Sequence, residues 1–213
     1  MRMAAVTYRL VIFDFDGTLA DSFPWFTTVL DAAADRFGIR RIDLEEREAL
    51  RACSSREILQ RFGVPPWKLP VIAAHMRRLK AEAAERIPLF EGTGEVLRRL
   101  SERGVQLGIV SSDAEENVRR TLGPDHAARI RHYECGAALF GKHARLRQIL
   151  RRSGVPAGQA IYVGDEVRDA EAARAAGIAF GAVSWGYAKP EVLEAQRPAE
   201  FFASMEAIAR SIG

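Results

Sequence analysis

The stretch that decides the fold is "LVIFDFDGTLADS", residues 10–22. An apolar run typical of a buried strand ends there in two acids, Asp14 and Asp16, and Gly17 and Thr18 follow at once. Two carboxylates this close repel each other, and removing them from water costs free energy. A core strand that ends in this way predicts a site that supplies a compensating positive charge.

The chain beyond this stretch alternates short apolar runs with helical patterns. Four runs are typical of buried strands, and one more short strand is expected within residues 129–140; the four are "RLVIFDF" (9–15), "VQLGIVS" (105–111), "AIYVGD" (160–165) and "IAFGAVS" (178–184). Nearly continuous apolar strands are typical of a parallel sheet covered on both faces. Alternation with helices therefore predicts an α/β fold, a doubly wound Rossmann-like core.

Residues 22–88 break this alternation, because every pattern there is helical. We expect an inserted all-helical cap domain over residues 22–88, and a catalytic core formed by residues 1–21 and 89–213. The linkers fall near residues 20–22 and 87–92. Three residue pairs have the spacing of a capping box at a helix start: Asp43 with Glu46, Ser54 with Glu57, and Asp113 with Glu116.

Composition narrows the class of protein. The chain has 213 residues and a formal charge of +3, and its arginine pairs are spread over different predicted helices, which argues against a nucleic-acid surface. Cys53 and Cys135 form no disulfide framework, which favours a reducing compartment. No apolar stretch is long enough for a membrane span, and the first residues do not resemble a signal peptide. A cytoplasmic protein is expected.

Polar residues gather where the predicted strands end. The carboxyl ends of parallel strands share one edge of a sheet, so we expect these side chains to meet: Asp14, Asp16, Ser111, Ser112, Asp165 and Asp169, with Lys142 opening a nearby helix. Clustered carboxylates need a cation, and hard oxygen ligands indicate Mg²⁺. An ammonium and a hydroxyl beside such an ion suit a phosphoryl group. Asp113 is interpreted as a helix cap, and Glu166 and the lysines of residues 22–88 as solvated.

Four motifs in order, "DFDGTLADS", "GIVSS", "GK" and "VGDEVRD", resemble the signatures of the haloacid dehalogenase-like hydrolase superfamily. The small helical insert resembles that of its phosphoglycolate phosphatase and β-phosphoglucomutase branch. The resemblance implies that Asp14 is the nucleophile that forms an aspartyl-phosphate. It also implies that Asp16 is the general acid and then the general base.

The same resemblance implies the remaining roles. Mg²⁺ would be held by the side chains of Asp14 and Asp165 and by the carbonyl oxygen of Asp16, with Asp169 in support. Ser111 and Lys142 would contact the phosphoryl group, with Ser112 as the alternative hydroxyl, and Gly17 and Thr18 would approach the same group. In the insert, Ser54 and Ser55 begin a predicted helix with Arg56 in its first turn, so Ser55 and Arg56 are expected to form an anion-binding corner that binds a second group of the substrate. The alternative is that Arg56 lies on a solvated helix face.

The leading hypothesis is a Mg²⁺-dependent phosphatase that hydrolyses a small phosphorylated metabolite, similar to phosphoglycolate phosphatase. One alternative is a phosphomutase that uses the same intermediate and needs an acid/base in the insert, for which His75 and Lys80 are the candidates. The other is a non-catalytic regulatory member of the fold. A monomer or homodimer is expected.

Overall fold

The computed structural model describes residues 8–53, 55–136 and 141–212, without the side chains of Leu44 and Ser55. Six strands in these ranges form one sheet: β1 Leu10–Phe13, β2 Gln106–Val110, β3 His132–Glu134, β4 Ala160–Gly164, β5 Ala179–Val183 and β6 Glu200–Phe202. Their order is β3-β2-β1-β4-β5-β6, and every neighbouring pair is parallel. The chain thus winds outward from β1 in both directions.

Helices surround this sheet and also fill the interval between β1 and β2. Their bounds are α1 Phe23–Phe37, α2 Leu44–Leu50, α3 Ser55–Arg61, α4 Leu69–Ala83, α5 Thr93–Glu102, α6 Glu115–Ala127, α7 Lys142–Ser153, α8 Val167–Ala176, α9 Pro190–Glu194 and α10 Met205–Ser211. Short 3₁₀ turns follow at Pro66–Lys68, Ala84–Arg86 and Ala157–Gln159. None of the helices described is both long and apolar enough to cross a membrane.

Strand β1 shows why the sheet must be covered on both faces. Val11 and Phe13 pack into a core shared with α5, α6 and α10, whereas Leu10 and Ile12 pack into a second core with α7 and α8. Side chains alternate between the two faces of a strand, so an apolar residue at every position needs helices on either side. The α/β doubly wound fold predicted from the sequence is confirmed.

Helices α1 to α4 form the helical insert, the name used below for residues 23–86. They have a small core of their own around Leu30, Ile42, Leu50 and Phe62. The two linkers run side by side, because Ala20 bridges to Leu89 and the Asp21 amide donates to the Pro88 carbonyl over 2.9 Å. The insert therefore leaves and re-enters the sheet at one place, close to Asp14.

The residues at the ends of the helices agree only in part with the predicted helix caps. Gly38, Gly154 and Gly177 end their helices in the left-handed region, which glycine adopts readily. The Asp43 side chain accepts from the Glu46 amide, as a helix cap does. The cap predicted at Asp113 is wrong, since α6 begins after Ala114 and has no side-chain cap. Ser54 lies outside the described residues, so that capping box stays a prediction.

Candidate active site

Asp14 is the first residue after β1 and lies at the carboxyl edge of the sheet. Its amide continues the ladder by donating to the Val163 carbonyl over 2.8 Å, and its Oδ1 accepts from the Phe15 amide over 2.7 Å. The next residues close a tight turn in which Gly17 has φ 78° and donates to the Ala20 carbonyl. This turn leaves the Asp14 carboxylate fixed and only 2% exposed.

Lys142 brings a positive charge to Asp14 from the first turn of α7. Its Nζ donates to Asp14 Oδ2 over 2.6 Å and to Asp169 Oδ1 over 2.7 Å, and the side chain is buried. Tyr162 donates its hydroxyl to the same Asp169 oxygen over 3.1 Å. Lys142 and Asp14 are therefore in direct contact in the structure, and the same ammonium also binds Asp169.

Asp165, which follows β4, is enclosed by backbone. Its Oδ1 accepts from the Thr18 hydroxyl and its Oδ2 from the Tyr187 amide, both over 2.7 Å. A Cβ placed on Gly17 or Gly186 would overlap this carboxylate, with Asp165 Cγ 2.8 Å and 2.6 Å away respectively. Thr18, expected at the substrate, directs its hydroxyl to Asp165 instead. The two glycines give Asp165 the space that it occupies.

Glu166 and Asp169 complete the acids at this edge. Asp169 Oδ2 accepts from the amides of Glu166 (3.1 Å) and Asp165 (3.3 Å), which fixes it at the start of α8. Glu166 is paired with Arg168, and both side chains are mostly buried. The expectation that Glu166 is solvated is therefore wrong. Arg168, which is mostly buried, is a further cation that acts on Asp14.

Carboxylate oxygens of Asp14, Glu166 and Asp169 lie within 4.8 Å of one another, so these three residues could hold a metal ion. The group shares Asp14 and the supporting residue Asp169 with the predicted set, but it contains Glu166 and does not contain Asp165. Both Asp165 oxygens already accept hydrogen bonds. A donor set made of carboxylate oxygens fits Mg²⁺, a hard cation.

Among the described residues, the negative charges of these acids are only partly offset by the cations that contact them. Burial raises the pKa of Asp14 to about 7, more than Lys142 lowers it. Burial, with the charges of Glu166 and Asp14, raises the pKa of Asp165 well above its usual range. Burial would also raise the pKa of Asp169, but Lys142 and Arg168 together lower it. A cation bound here would offset the remaining repulsion.

Ser111 and Ser112 follow β2 at the same edge. Ser111 is buried and its Oγ accepts from the Asp113 amide over 3.0 Å, whereas Ser112 is half-buried. The two serines thus differ in exposure, and which of them contacts a phosphoryl group stays a prediction.

Lys80, from α4 of the helical insert, reaches this edge and contacts Asp16. Its ammonium lies between Asp16 Oδ1 and Asp113 Oδ2, the latter 2.8 Å away. Burial would raise the pKa of Asp16, but the Lys80 ammonium outweighs it and holds that pKa below its usual range. The expectation that the lysines of the insert are solvated is wrong for Lys80. Ala83 and Ala84, one helical turn further on, are also buried, but no local pattern in the sequence indicates the contact of Lys80 with Asp16 or Asp113.

The predicted anion-binding corner lies on α3. This helix begins at Ser55, whose side chain lies outside the description, and Arg56 is exposed. The role of both residues in substrate binding stays a prediction.

Comparison with known proteins identifies the family. Residues 11–183 match the family model described as "Haloacid dehalogenase-like hydrolase". A phosphoglycolate phosphatase of Synechococcus elongatus is 35% identical over 89% of this chain and 90% of its own length. A 5'-nucleotidase of Pseudomonas aeruginosa is 28% identical over 98% of this chain and 97% of its own.

A solved structure supports the fold. A haloacid dehalogenase-like hydrolase of Streptococcus pneumoniae superposes with a TM-score of 0.77 at 19% identity, over 95% of this chain and 97% of the other. With the family match, the recognition made from the four sequence motifs is confirmed. The chain belongs to the haloacid dehalogenase-like hydrolases, in the branch of the phosphoglycolate phosphatases, and is a phosphoric monoester hydrolase.

Proposed function

We propose that the chain hydrolyses a small phosphomonoester through an aspartyl-phosphate formed on Asp14, with phosphoglycolate as the first candidate substrate. The observation that carries this proposal is the pairing of Asp14 Oδ2 with Lys142 over 2.6 Å at the carboxyl edge of the sheet. An ammonium that holds one oxygen orients the carboxylate for attack and offsets charge on an approaching phosphate.

The reaction then has two displacements. The Lys80 ammonium keeps Asp16 ionised in the structure, so Asp16 would have to leave that contact and take up a proton from solvent before it acts as an acid. An Asp14 oxygen then bonds to phosphorus and the bond to the ester oxygen breaks, while Asp16 gives its proton to the departing alkoxide. Water next attacks the phosphorus, Asp16 takes a proton from that water, and the bond between phosphorus and Asp14 breaks. Inorganic phosphate leaves, and Asp14 and Asp16 return to their starting states.

A Mg²⁺ ion would be held by Asp14 and Asp165 with the carbonyl oxygen of Asp16, and carboxylate oxygens of Glu166 and Asp169 lie within 4.8 Å of an Asp14 oxygen and of each other. When bound, the ion supplies charge neutralisation for the phosphoryl oxygens. Lys142 and Ser111 would bind the phosphoryl group from the side of the sheet. Gly17 would let the backbone of the turn come close to it.

The helical insert would act as the cap over this site, with residues 1–21 and 89–213 as the core. This assignment is supported by the small separate core of the insert and by its contacts at Asp16. A cap that covers the phosphoryl group excludes water from the first displacement. Ser55 and Arg56 remain predicted substrate contacts of the cap.

The phosphomutase alternative receives no support from the insert. His75 packs edge-on against Phe37 with ring centroids 5.3 Å apart, while Lys80 contacts Asp16. These two residues therefore do not form the acid/base pair that a mutase was expected to need. The monomeric or homodimeric state and the cytoplasmic location stay predictions.

Phosphate release tests the proposal. The purified protein is incubated with Mg²⁺ and a panel of esters that includes phosphoglycolate, a nucleoside 5'-monophosphate and p-nitrophenyl phosphate. We expect release that stops when the metal is chelated and resumes when Mg²⁺ is restored. No phosphate release from any ester with Mg²⁺ present, or full activity in the chelator, would contradict the proposal.

A further inference from the structure

Lys80 brings a positive charge of the helical insert into the active site. The side chain is 4% exposed, its Nζ lies 5.2 Å from the centre of the Phe15 ring, and its ammonium is shared by Asp16 and Asp113. Burying an ammonium is costly unless carboxylates offset its charge. The two acids therefore hold one cation of the insert at a defined place beside the reacting groups.

Asp113 is the fixed partner of this ammonium. Its Oδ1 accepts from the Ala114 amide (2.7 Å) and from Asn117 Nδ2 (2.8 Å). Its Oδ2 is buried and, within the described ranges, has the Lys80 ammonium as its close cationic neighbour at 2.8 Å. Asn117 also donates to the Arg77 carbonyl of α4 over 3.0 Å. The Asp113 carboxylate is thus fixed at the start of α6, and Asn117 links it to α4, the helix that carries Lys80.

Asp16 is the exchangeable partner. Its side chain is 23% exposed, against 3% for Asp113, and in the proposed reaction it acts on the leaving group. In the proposed reaction the phosphoryl group binds at Asp14 and Lys142. This ion pair shares no residue with the contacts of Lys80, which are to Asp16 and Asp113. An anion that replaced Asp16 at the Lys80 ammonium would therefore belong to the leaving group.

We propose that Lys80 is a specificity-determining residue: its ammonium stays on Asp113 and exchanges its contact with Asp16 for a carboxylate on the leaving group of the substrate. This inference rests on the proposed function and narrows its substrate class to phosphate esters of short hydroxy acids. A neutral alcohol offers Lys80 no charged partner, and a cationic leaving group is repelled by it.

The test compares esters that differ in the charge of a small leaving group: phosphoglycolate, ethyl phosphate and phosphoethanolamine. The wild-type protein is expected to rank them in that order by kcat/KM. Lys80→Met should reduce the ratio of kcat/KM for phosphoglycolate over ethyl phosphate about 10- to 100-fold, the value of a hydrogen bond between charged groups. The control is Arg78→Met on the same helix, where the side chain is 64% exposed, and its ratio should stay that of wild type.

Two results would overturn the inference. One is a wild-type protein with equal kcat/KM on the three esters, a measurement that needs no variant. The other is an equal loss on phosphoglycolate and ethyl phosphate in Lys80→Met, which would make Lys80 a positioning residue for Asp16. Lys80→Gln, which keeps hydrogen-bond donors for both acids, should show the same loss of preference if the methionine variant does not fold. A wild-type protein that releases phosphate from no ester would instead overturn the proposed function.

Discussion

Asp14 is the residue on which the proposed reaction depends, so Asp14→Asn should reduce turnover by about a thousand-fold or more, since an amide is a poor nucleophile. The fold should persist, because the Asn carbonyl oxygen can still accept from Phe15 or Lys142. Phosphate release and thermal unfolding measure the two effects. Asp125→Asn, at an exposed position, is the control. Turnover of Asp14→Asn within tenfold of wild type would contradict the assignment.

Asp14 also predicts how the metal-free protein responds to pH. Burial raises its pKa from 3.8 to about 7, so between these values the folded protein keeps a proton that the unfolded chain has lost. The resulting stability is fully present below about pH 4 and is lost as the pH rises through about 7; the shift corresponds to roughly 4 kcal/mol. Asp165, with a raised pKa, acts in the same direction. The pKa values of Asp16 and Asp169 are lowered, so the stability that these two groups contribute is lost only as the pH falls below this window.

Urea unfolding in a chelator should therefore give a free energy of unfolding that falls between about pH 4 and pH 7. Added Mg²⁺ should reduce the fall, because an ion bound by ionised carboxylates stabilises the folded state. Asp14→Asn should flatten the profile in the chelator. A wild-type profile that rises across this range without metal would show that the acids are already compensated.

The acids after β1 and β4 could be predicted because each follows an apolar run directly. Lys80, Asp113 and Glu166 could not be assigned in the same way. Lys80 meets Asp113 only because α4 packs beside the loop after β2, and no local pattern reports a contact between segments so far apart. Asp113 has the spacing of a helix cap, and this local pattern gave no indication of its ion pair with Lys80.

At the scale of elements, the loop after β5 should control the metal site through Gly186. A Cβ there would lie 2.6 Å from Asp165 Cγ, and Asp165 cannot move freely because Thr18 and Tyr187 bind both its oxygens. Gly186→Ala should cost about 1–3 kcal/mol of stability. It should also raise the Mg²⁺ concentration needed for half-maximal activity about tenfold or more.

Gly158→Ala is the matched control, because a Cβ at Gly158 meets nothing within 4 Å. Activity is titrated with Mg²⁺ and unfolding is followed in urea for both variants. A Gly186→Ala protein with the Mg²⁺ dependence of wild type would mean that Asp165 does not help to hold the ion.

Elements with strong local patterns were predicted well, and the short strand β3 lies within residues 129–140 as expected, but other short elements were missed. Strands β1, β2, β4 and β5 fall inside the predicted apolar runs. Strand β6 has three residues and α9 has five, too few to show a period. Helix α6 is kinked at Gly123, where φ is 72°, and a further turn continues to Ala127 beyond this kink.

At the scale of the whole molecule, the helical insert contacts the other described parts of the chain at several separate places. Arg51 donates to the carbonyls of Gly186 and Tyr187 over 3.1 Å each. On α6, Arg120 and Thr121 donate to carbonyls at the end of α4 over 3.0 Å each. The position of the insert in the chain was predictable from its helical patterns. These contacts were not, because they join residues far apart in sequence.

The most direct test of the reaction is to trap its intermediate. Wild-type protein with Mg²⁺ and excess phosphoglycolate is quenched in acid during turnover, and its peptides are analysed by mass spectrometry. We expect a phosphate on the peptide that contains Asp14, removed by hydroxylamine as an acyl phosphate is. Sustained release of phosphate with Asp14 unmodified at every time point would contradict the proposed reaction.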